Sequence, residues 1–270
     1  MNALLARASI NEPAELFLRS VGEVFAVFNE RTQDSGNVSY GVRAGERRFF
    51  VKTAGRVDDP VPVLSHQARV ELLRNAAEVA RVLHPSVPRL HRVIESTAGP
   101  MLVYDWFDGE LLNARRADRD DPASAFQRFR ALPVERIVTC LDTIFDLHVV
   151  LARAGWIAGD FYDGCLLYDF TSSELRIIDL DTYHRGPHAN TMGRMFGSTR
   201  FMAPEEFTLG ATVDERTTVF NLGRAAFVFL GEPGASRGSP TRLAAAARGC
   251  EPTPERRFAT VADLVAAWRA

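Results

Sequence analysis

The sequence has few of the features that mark several classes of protein. Only three cysteines occur among its 270 residues, at Cys140, Cys165 and Cys250, and their wide spacing excludes a disulfide framework and the paired spacing of a zinc site. No apolar run approaches the ~18 residues of a membrane-spanning helix. No apolar core follows a basic start, so we expect no signal peptide. A reducing compartment, the cytoplasm, is therefore expected.

The sequence also lacks an excess of charge of either sign. It contains 32 Lys and Arg against 34 Asp and Glu, and the net charge of -2 gives no reason to expect nucleic acid or an acidic membrane as a partner. The hydrophobic fraction of 46% is ordinary for a globular protein. The length of 270 residues fits one large domain or two lobes.

The apolar pattern changes along the chain. Short β-like segments separated by turn residues come first, at Val24–Phe28, Val38–Val42, Arg48–Lys52 and Met101–Tyr104. Helical spacing appears from Ser65 to Leu83 and, most regularly, over 134–153, where Pro133 opens the predicted helix and Gly155 closes it. The pattern predicts an α+β protein whose β-rich part, 1–107, precedes a helix-rich part, 108–270.

Two apolar strands end in an aspartate. Asp160 ends the segment Ala158-Gly159-Asp160, and Asp179, within the segment Leu175–Asp181, follows it nineteen residues later. An ATP phosphotransferase places one carboxylate on the attacking hydroxyl and a second on magnesium. Further along stands Gly-Ser-Thr-Arg-Phe-Met-Ala-Pro-Glu at 197–205.

These segments, in this order, resemble the eukaryotic-type (Hanks-type) serine/threonine protein kinase family over nearly the whole chain. The matching segments are Phe49–Lys52 for the third-strand Val-Ala-Ile-Lys, Leu102–Phe107 for the gatekeeper and hinge, 158–160 for His-Arg-Asp, 179–181 for Asp-Phe-Gly, and 203–205 for Ala-Pro-Glu. The resemblance implies a two-lobed protein kinase-like fold, with an N-lobe at 1–107 and a C-lobe at 108–270. It also implies ATP and Mg2+ as cofactors and a protein as substrate.

The resemblance assigns roles to individual residues. Lys52 would contact the ATP phosphates, Asp160 would act as base and Ser198 would lie near the substrate. The implied nucleotide-binding residues are Gly36, Val38, Lys52, Asp105, Phe107 and Leu167; the implied magnesium ligands are Asp179, Asp163 and Asp181. Glu205 and Arg257 would form a structural ion pair in the C-lobe.

Several positions depart from the family pattern in the N-terminal part. The phosphate-covering loop, aligned with 31–38, keeps only Gly36 and Val38. Phe50 replaces a small alanine on the strand face that carries Lys52. Asn75 stands where the lysine's glutamate partner is expected, and Glu71 and Glu78 lie one turn to either side.

The C-terminal part departs from the pattern as well. Gly159 replaces the arginine before Asp160, as in small-molecule kinases, and Tyr162 replaces a lysine. Cys165 replaces the asparagine ligand and is a poor ligand for a hard cation. Thr218 replaces the aspartate that anchors the catalytic loop, so a different network is expected to hold that loop.

Three functions follow from this mixture. The first is an active serine/threonine-type protein kinase, favoured by Lys52, Asp160 and Asp179. The second is a pseudokinase that binds or scaffolds, favoured by the poor glycine loop, Phe50 and Cys165. The third is a small-molecule kinase of the aminoglycoside or choline kinase type, favoured by Gly159-Asp160 and Asp181 but opposed by the segment 197–205.

Overall fold

The chain divides into two compact units. The computed structural model describes residues 2–29, 36–57, 64–113 and 119–270. Unit 1 comprises Met1–Leu83 and Val87–Phe107, and unit 2 comprises His84–Ser86 and Asp108–Ala270. The division falls at the boundary expected from the sequence, 107/108, except that residues 84–86 belong to unit 2.

Unit 1 is built around a five-stranded antiparallel sheet. The strands are β1 (Glu23–Phe28), β2 (Val38–Ala44), β3 (Arg47–Thr53), β4 (Leu90–Ser96) and β5 (Gly99–Asp105), in the order β1-β2-β3-β5-β4. Its helices are α1 (Ala3–Ala6), α2 (Ala14–Val21) and α3 (His66–Val79). Ser65 begins α3 as its N-cap, because its side chain accepts from the Ala68 N–H.

Helices cover both faces of this sheet. On one face Phe49 and Val51 of β3 share a core with Phe17 and Leu18 of α2. On the other face a smaller core joins α3 to β5 and contains Ala54, Leu73, Ala76 and Leu102. The alternation of side chains along β3 places Phe50 and Lys52 on the α3 face.

Unit 2 is mainly helical. Its helices are α4 (Ala125–Arg130), α5 (Val134–Arg153), α6 (Glu215–Leu230), α7 (Pro240–Gly249) and α8 (Val261–Arg269). Its short strands are β6 (Glu110–Leu111), β7 (Trp156–Ile157), β8 (Leu166–Asp169), β9 (Glu174–Ile177), β10 (His184–Arg185), β11 (His188–Ala189) and β12 (Thr212–Val213). The bounds of α5 agree with the helix predicted over 134–153.

The core of unit 2 lies between α5, α6 and α8. The apolar stripe of α5 is buried along its length, including Ile137, Leu141, Phe145 and Leu151. In α6 nearly every residue is buried, as expected for a helix surrounded by other elements. In the part of the chain that the structure describes, no helix has the length and apolarity needed to cross a membrane.

Candidate active site

Lys52 lies at the buried end of β3. It pairs with Ser39 of β2 and Leu102 of β5, and only 9% of its surface is exposed. It is also the only lysine in the sequence, since every other residue among the 32 Lys and Arg is arginine. An ammonium is a compact point charge on a flexible stem, whereas a guanidinium is a planar fork, so the two groups bind phosphate with different geometry. Lys52 therefore carries the one lysine amine in the sequence, at a buried position on the sheet.

The register of β2 corrects the assignment of Val38. Val38 pairs with Thr53, and its side chain packs against the core on the face opposite Lys52. Ser39 instead pairs with Lys52 and is fully buried. A shift of one residue moves a side chain to the other face of a sheet. Ser39 therefore lies on the Lys52 face of the sheet, where the family resemblance implied Val38.

Asp105 also projects away from the Lys52 face. It pairs with Phe49, and its carboxylate accepts from Arg47 at 3.2 Å and contacts His91 Nε2 at 2.7 Å. Its own N–H donates to the Arg89 carbonyl. A nucleotide-binding role for the Asp105 side chain on the Lys52 face does not fit this geometry. Phe107, the last residue of unit 1, is half-buried.

Aromatic rings occupy the sheet face beside Lys52. Phe50 pairs across the sheet with Gly41, and its ring lies 5.9 Å from that of Phe28, which stacks on Trp106 at 6.3 Å. Phe25 meets Trp106 edge to face at 4.8 Å. A Cβ at Gly41 would lie 2.7 Å from Phe25 and 2.9 Å from Trp106, so only glycine admits these rings. We name Phe25, Phe28, Phe50 and Trp106 the aromatic cluster.

The glutamates of α3 have partners on their own helix. Glu71 accepts from Gln67 at 2.9 Å, and Glu78 forms an ion pair with Arg81 at 2.9 Å. Both glutamates are exposed, whereas Lys52 is buried. These contacts do not support either glutamate as a partner of Lys52.

Gly36 is bound by a residue to which the family resemblance assigned no role. Arg69 of α3 is fully buried and donates to the Gly36 carbonyl at 2.7 Å and to the Arg56 carbonyl at 2.9 Å. A Cβ at Gly55 would lie 2.2 Å from the Gly36 carbonyl oxygen, so the backbone at Gly55 packs closely against the backbone at Gly36. Positions 31–35 of the predicted phosphate-covering loop lie outside the described residues.

In unit 2 the candidate base Asp160 and the candidate magnesium ligand Asp179 both have a left-handed backbone. The φ angles are 51° at Asp160 and 63° at Asp179. Within the described ranges the only other non-glycine residue with positive φ is Ser173, in the turn between β8 and β9. Residues held in such sparsely populated conformations cluster at active sites and ligand clamps. Asp160 and Asp179 are thus two of the three described non-glycine residues with this conformation.

The carboxylates of Asp160 and Asp179 raise the pKa of the same two neighbours, Cys165 and Tyr183. Burial raises the pKa of the Cys165 thiol well above its usual value, and Asp179 and Asp160 raise it further. Burial likewise raises the pKa of Tyr183, with added contributions from Cys165, Asp160 and Asp179. Because both carboxylates influence one buried thiol and one phenol, they face a common region of unit 2.

The segment that carries Asp160 is fixed by its neighbours. The Ala158 N–H donates to Thr218 Oγ1 at 2.9 Å, which is the different anchoring network that the sequence led us to expect. The Thr182 hydroxyl donates to the Gly159 carbonyl at 2.8 Å, and the Cys165 thiol donates to the Asp160 carbonyl at 3.3 Å. A Cβ at position 159 would lie 2.3 Å from the Thr182 carbonyl oxygen, so only glycine fits at this position.

The segment 197–205 approaches Asp160. A Cβ at Gly197 would lie 3.6 Å from Asp160 Oδ1. The next residue, Ser198, is half-buried, and its carbonyl accepts from the N–H groups of Phe201 and Met202. The structure therefore brings this segment beside the candidate base.

Asp163 is engaged elsewhere, which corrects its assignment as a magnesium ligand. Its side chain is fully buried and accepts a short hydrogen bond from Arg200. Burial raises the pKa of Asp163, while Arg200 and then Arg119 oppose that rise. Since the carboxylate is shielded and bound to a guanidinium, it does not fit the set of metal ligands.

The remaining predicted ligands fit magnesium only in part. Asp179 is exposed, whereas Asp181 is 7% exposed. Among the described residues no group of three or more His, Cys, Asp or Glu side chains could hold a metal ion. Magnesium usually takes one or two carboxylates, with phosphates and water completing its shell. Asp179, a hard oxygen donor, fits that requirement. Leu167 of β8 is half-buried and pairs with Leu111 and Arg176.

The ion pair expected between Glu205 and Arg257 is present. Arg257 donates to both carboxylate oxygens, at 2.6 Å and 2.9 Å, and its side chain is fully buried. Thr217 adds a third hydrogen bond to Glu205 at 2.8 Å. The pair fixes the end of the segment 197–205 to the start of α6.

Comparison with known proteins adds no family. No protein-family model matches the chain, and no curated protein matches it.

Proposed function

We propose that this chain is an ATP-dependent phosphotransferase of the protein kinase type, with two lobes corresponding to units 1 and 2. One observation carries the proposal. Asp160, assigned to catalysis, and Asp179, assigned to magnesium, both have positive φ angles. Both carboxylates also raise the pKa of the buried Cys165 thiol. Non-glycine residues held in the left-handed region cluster at active sites and ligand clamps, which supports functional roles for both aspartates.

The proposed reaction transfers the γ-phosphoryl group of ATP to a hydroxyl. Asp160 orients the acceptor hydroxyl and takes its proton as the hydroxyl oxygen attacks the γ-phosphorus. The bond between the γ-phosphorus and the β,γ-bridging oxygen breaks, and ADP leaves with that oxygen's electron pair. Asp179 would hold Mg2+, which neutralises phosphate charge when bound. Lys52 would supply its ammonium to the α- and β-phosphates.

A specific observation favours the alternative, a pseudokinase. The aromatic cluster occupies the face of β2 and β3 beside Lys52, where the family has a small alanine that covers adenine. Rings already packed against one another leave less space for a purine. In this alternative the fold is kept as a binding module, and the aspartates no longer serve catalysis.

The single lysine provides a direct test. An acyl phosphate of ATP acylates amines next to bound phosphates, and Lys52 carries the only ε-amino group in the sequence. We expect mass spectrometry to find acylated Lys52, and we expect excess magnesium-ATP to prevent its acylation. The variant Lys52→Arg keeps the charge and should show no label at this position.

The α-amino group is an internal control, because its acylation by the reagent should not change on addition of magnesium-ATP. Acylation of Lys52 that magnesium-ATP leaves unchanged would remove the kinase proposal and leave the pseudokinase alternative. Protection that disappears in Asp179→Asn would assign the metal-dependent part of binding to Asp179.

A further inference from the structure

One buried carboxylate beside the candidate catalytic segment is bound by one arginine and lies near a second. Asp163 is fully buried, and Arg200 binds it through a side-chain hydrogen bond. The Arg119 carbonyl accepts from Gln127, whose neighbour Phe126 contacts Arg200, and Arg119 is close enough to lower the pKa of Asp163. Asp163, Arg119 and Arg200 thus form a cluster of one carboxylate and two guanidinium groups, which carries excess positive charge.

Arg200 is held in a fixed orientation. Its guanidinium carbon lies 5.4 Å from the ring centres of both Phe126 and Phe201, and its carbonyl accepts from Arg224 Nε at 2.8 Å. Its side chain is 20% exposed. A guanidinium has five N–H donors. In the described part of the chain only one bond, to Asp163, uses them, and the buried Nε has no partner.

Arg119 has still more unused hydrogen-bonding capacity. The residue is half-buried, and its Nε is buried without a partner among the described residues. Its carbonyl, not its guanidinium, accepts the hydrogen bond from Gln127. The Nε atoms are shielded, but the terminal Nη groups retain donors, since among the described residues only the Arg200 bond to Asp163 uses one. Both arginines therefore offer donors that the protein itself does not satisfy.

The cluster flanks Asp160 along two chain segments. Asp163 follows Asp160 by three residues, and Arg200 follows Gly197 by three. A Cβ at Gly197 would lie 3.6 Å from Asp160 Oδ1. An acceptor molecule with its hydroxyl at Asp160 would thus present its neighbouring groups to Arg200 and Arg119.

The geometry points to an acceptor that carries an anionic group, a carboxylate or a phosphate, bound by Arg119 and Arg200 beside Asp160. The identification of the bound molecule as the acceptor rests on the proposed function, whereas the anion site itself does not require ATP. Guanidinium groups match the planar oxygens of carboxylates and phosphates and bind them through charge-assisted hydrogen bonds.

A peptide pair tests this site without catalysis. The two fluorescein-labelled peptides share one serine and differ only in their flanking residues, which are Glu in one and Gln in the other. By fluorescence anisotropy we expect the Glu peptide to bind wild type about tenfold more tightly, as lost charge-assisted hydrogen bonds would predict. The preference should fall to near unity in Arg119→Gln and Arg200→Gln and survive in Arg153→Gln, a control at the exposed end of α5.

A small-molecule arm separates the two sources of the anion. Glycerol 3-phosphate should stabilise wild type in a thermal shift, with glycerol as the uncharged control, if the acceptor is a small phosphorylated alcohol. A response to the Glu peptide alone assigns the site to peptide carboxylates. If neither probe binds, or if binding survives both arginine variants, the inference is wrong.

Two further comparisons keep these outcomes interpretable. Arg119→Gln removes no described side-chain hydrogen bond and should fold normally, so it decides the result even if Arg200→Gln is unstable. Anion binding that depends on Arg119 but persists in Asp179→Asn would stand even if Lys52 showed no nucleotide protection. In that case only the proposed function would fail.

Discussion

At the residue scale, the carboxylates of Asp160 and Asp179 have different tasks in the proposed reaction. Asn is the appropriate replacement at both positions, because it tolerates positive φ better than most residues and keeps the side-chain shape. The φ angles of 51° and 63° would strain alanine or a branched residue and confuse loss of chemistry with loss of structure. Asn therefore removes the charge while retaining the backbone.

We expect Asp160→Asn to lower kcat by about 10²- to 10⁴-fold, the usual contribution of a general base. Its magnesium-dependent ATP binding should remain, since Asp160 is assigned to the acceptor hydroxyl. Asp179→Asn should instead abolish that binding. Steady-state turnover and calorimetric titration of ATP, with and without magnesium, measure the two effects. Equal loss of ATP binding in both variants would contradict the division of roles.

At the element scale, the N-terminal half of α6 organises the candidate site. Thr218 holds the Ala158 N–H, and Thr217 binds Glu205. One turn further, Asn221 donates to the Phe201 carbonyl and to Glu206. One helix thus fixes both the Asp160 segment and the segment 197–205. Substitutions in this half of α6 should affect stability and turnover together.

Thr218 offers a conservative test of this role. Thr218→Val preserves shape but leaves the buried Ala158 N–H without an acceptor, which costs about 1–3 kcal/mol. We expect urea unfolding to show that loss in the free energy of unfolding, together with reduced turnover. Thr218→Ser keeps the hydroxyl and should restore much of both. A Val variant as stable as wild type would show that the hydrogen bond is unimportant.

The elements also show where sequence reasoning succeeds. The helix over 134–153 was predictable because its apolar stripe is long and a proline precedes it. The pairing of Ser39 with Lys52 was not, since the register between β2 and β3 is set by the two-residue turn Gly45-Glu46 that joins them, which a motif alignment does not use. A motif alignment fixes the order of segments along the chain. It does not fix strand register, and an error of one residue places a side chain on the wrong face of the sheet.

Contacts between residues far apart in the sequence were equally hard to predict. The sequence suggested three carboxylates for magnesium, yet Asp163 binds Arg200, which stands 37 residues away. In contrast, Glu205 and Arg257 could be paired from sequence, because the family resemblance names both partners. Arg69 carried no motif, and only its burial and its bond to Gly36 reveal it.

At the scale of the whole molecule, the boundary near Asp108 was predictable from the change of apolar period. The placement of residues 84–86 was not, because it depends on a hydrogen bond from the Ile177 N–H to the Ser86 carbonyl at 2.7 Å. The helices α1 and α2 that cover the sheet of unit 1 were also missed, since they span four and eight residues, fewer than the roughly 11–18 residues over which apolar periodicity is read.

Stability of the whole chain should depend on pH through two buried groups with opposite effects. Burial raises the pKa of Glu206 from 4.5 to about 7, while its bonds to the Ala203 N–H and Asn221 oppose the rise. The folded state thus binds more protons than the unfolded state between these values. Stability contributed by Glu206 is present below pH 4.5 and is lost as the pH rises to about 7.

His148 has the reverse effect. Burial lowers its pKa from 6.5 to about 4, partly opposed by the hydrogen bond at the Ile144 carbonyl. Its Nδ1 lies 2.7 Å from that carbonyl and its Nε2 lies 2.8 Å from the Tyr183 hydroxyl, so the neutral ring donates to the first and accepts from the second. Stability contributed by His148 is present above pH 6.5 and is lost as the pH falls to about 4.

The two effects should cancel between pH 4.5 and 6.5, where each group contributes a slope of up to about 1.4 kcal/mol per pH unit of opposite sign. Glu206→Gln should therefore make stability rise with pH across this range, and His148→Gln should make it fall. Urea unfolding of both variants and the double variant at a series of pH values measures the slopes. Parallel curves for wild type and both single variants would contradict the assignment, because a merely structural loss shifts stability equally at every pH.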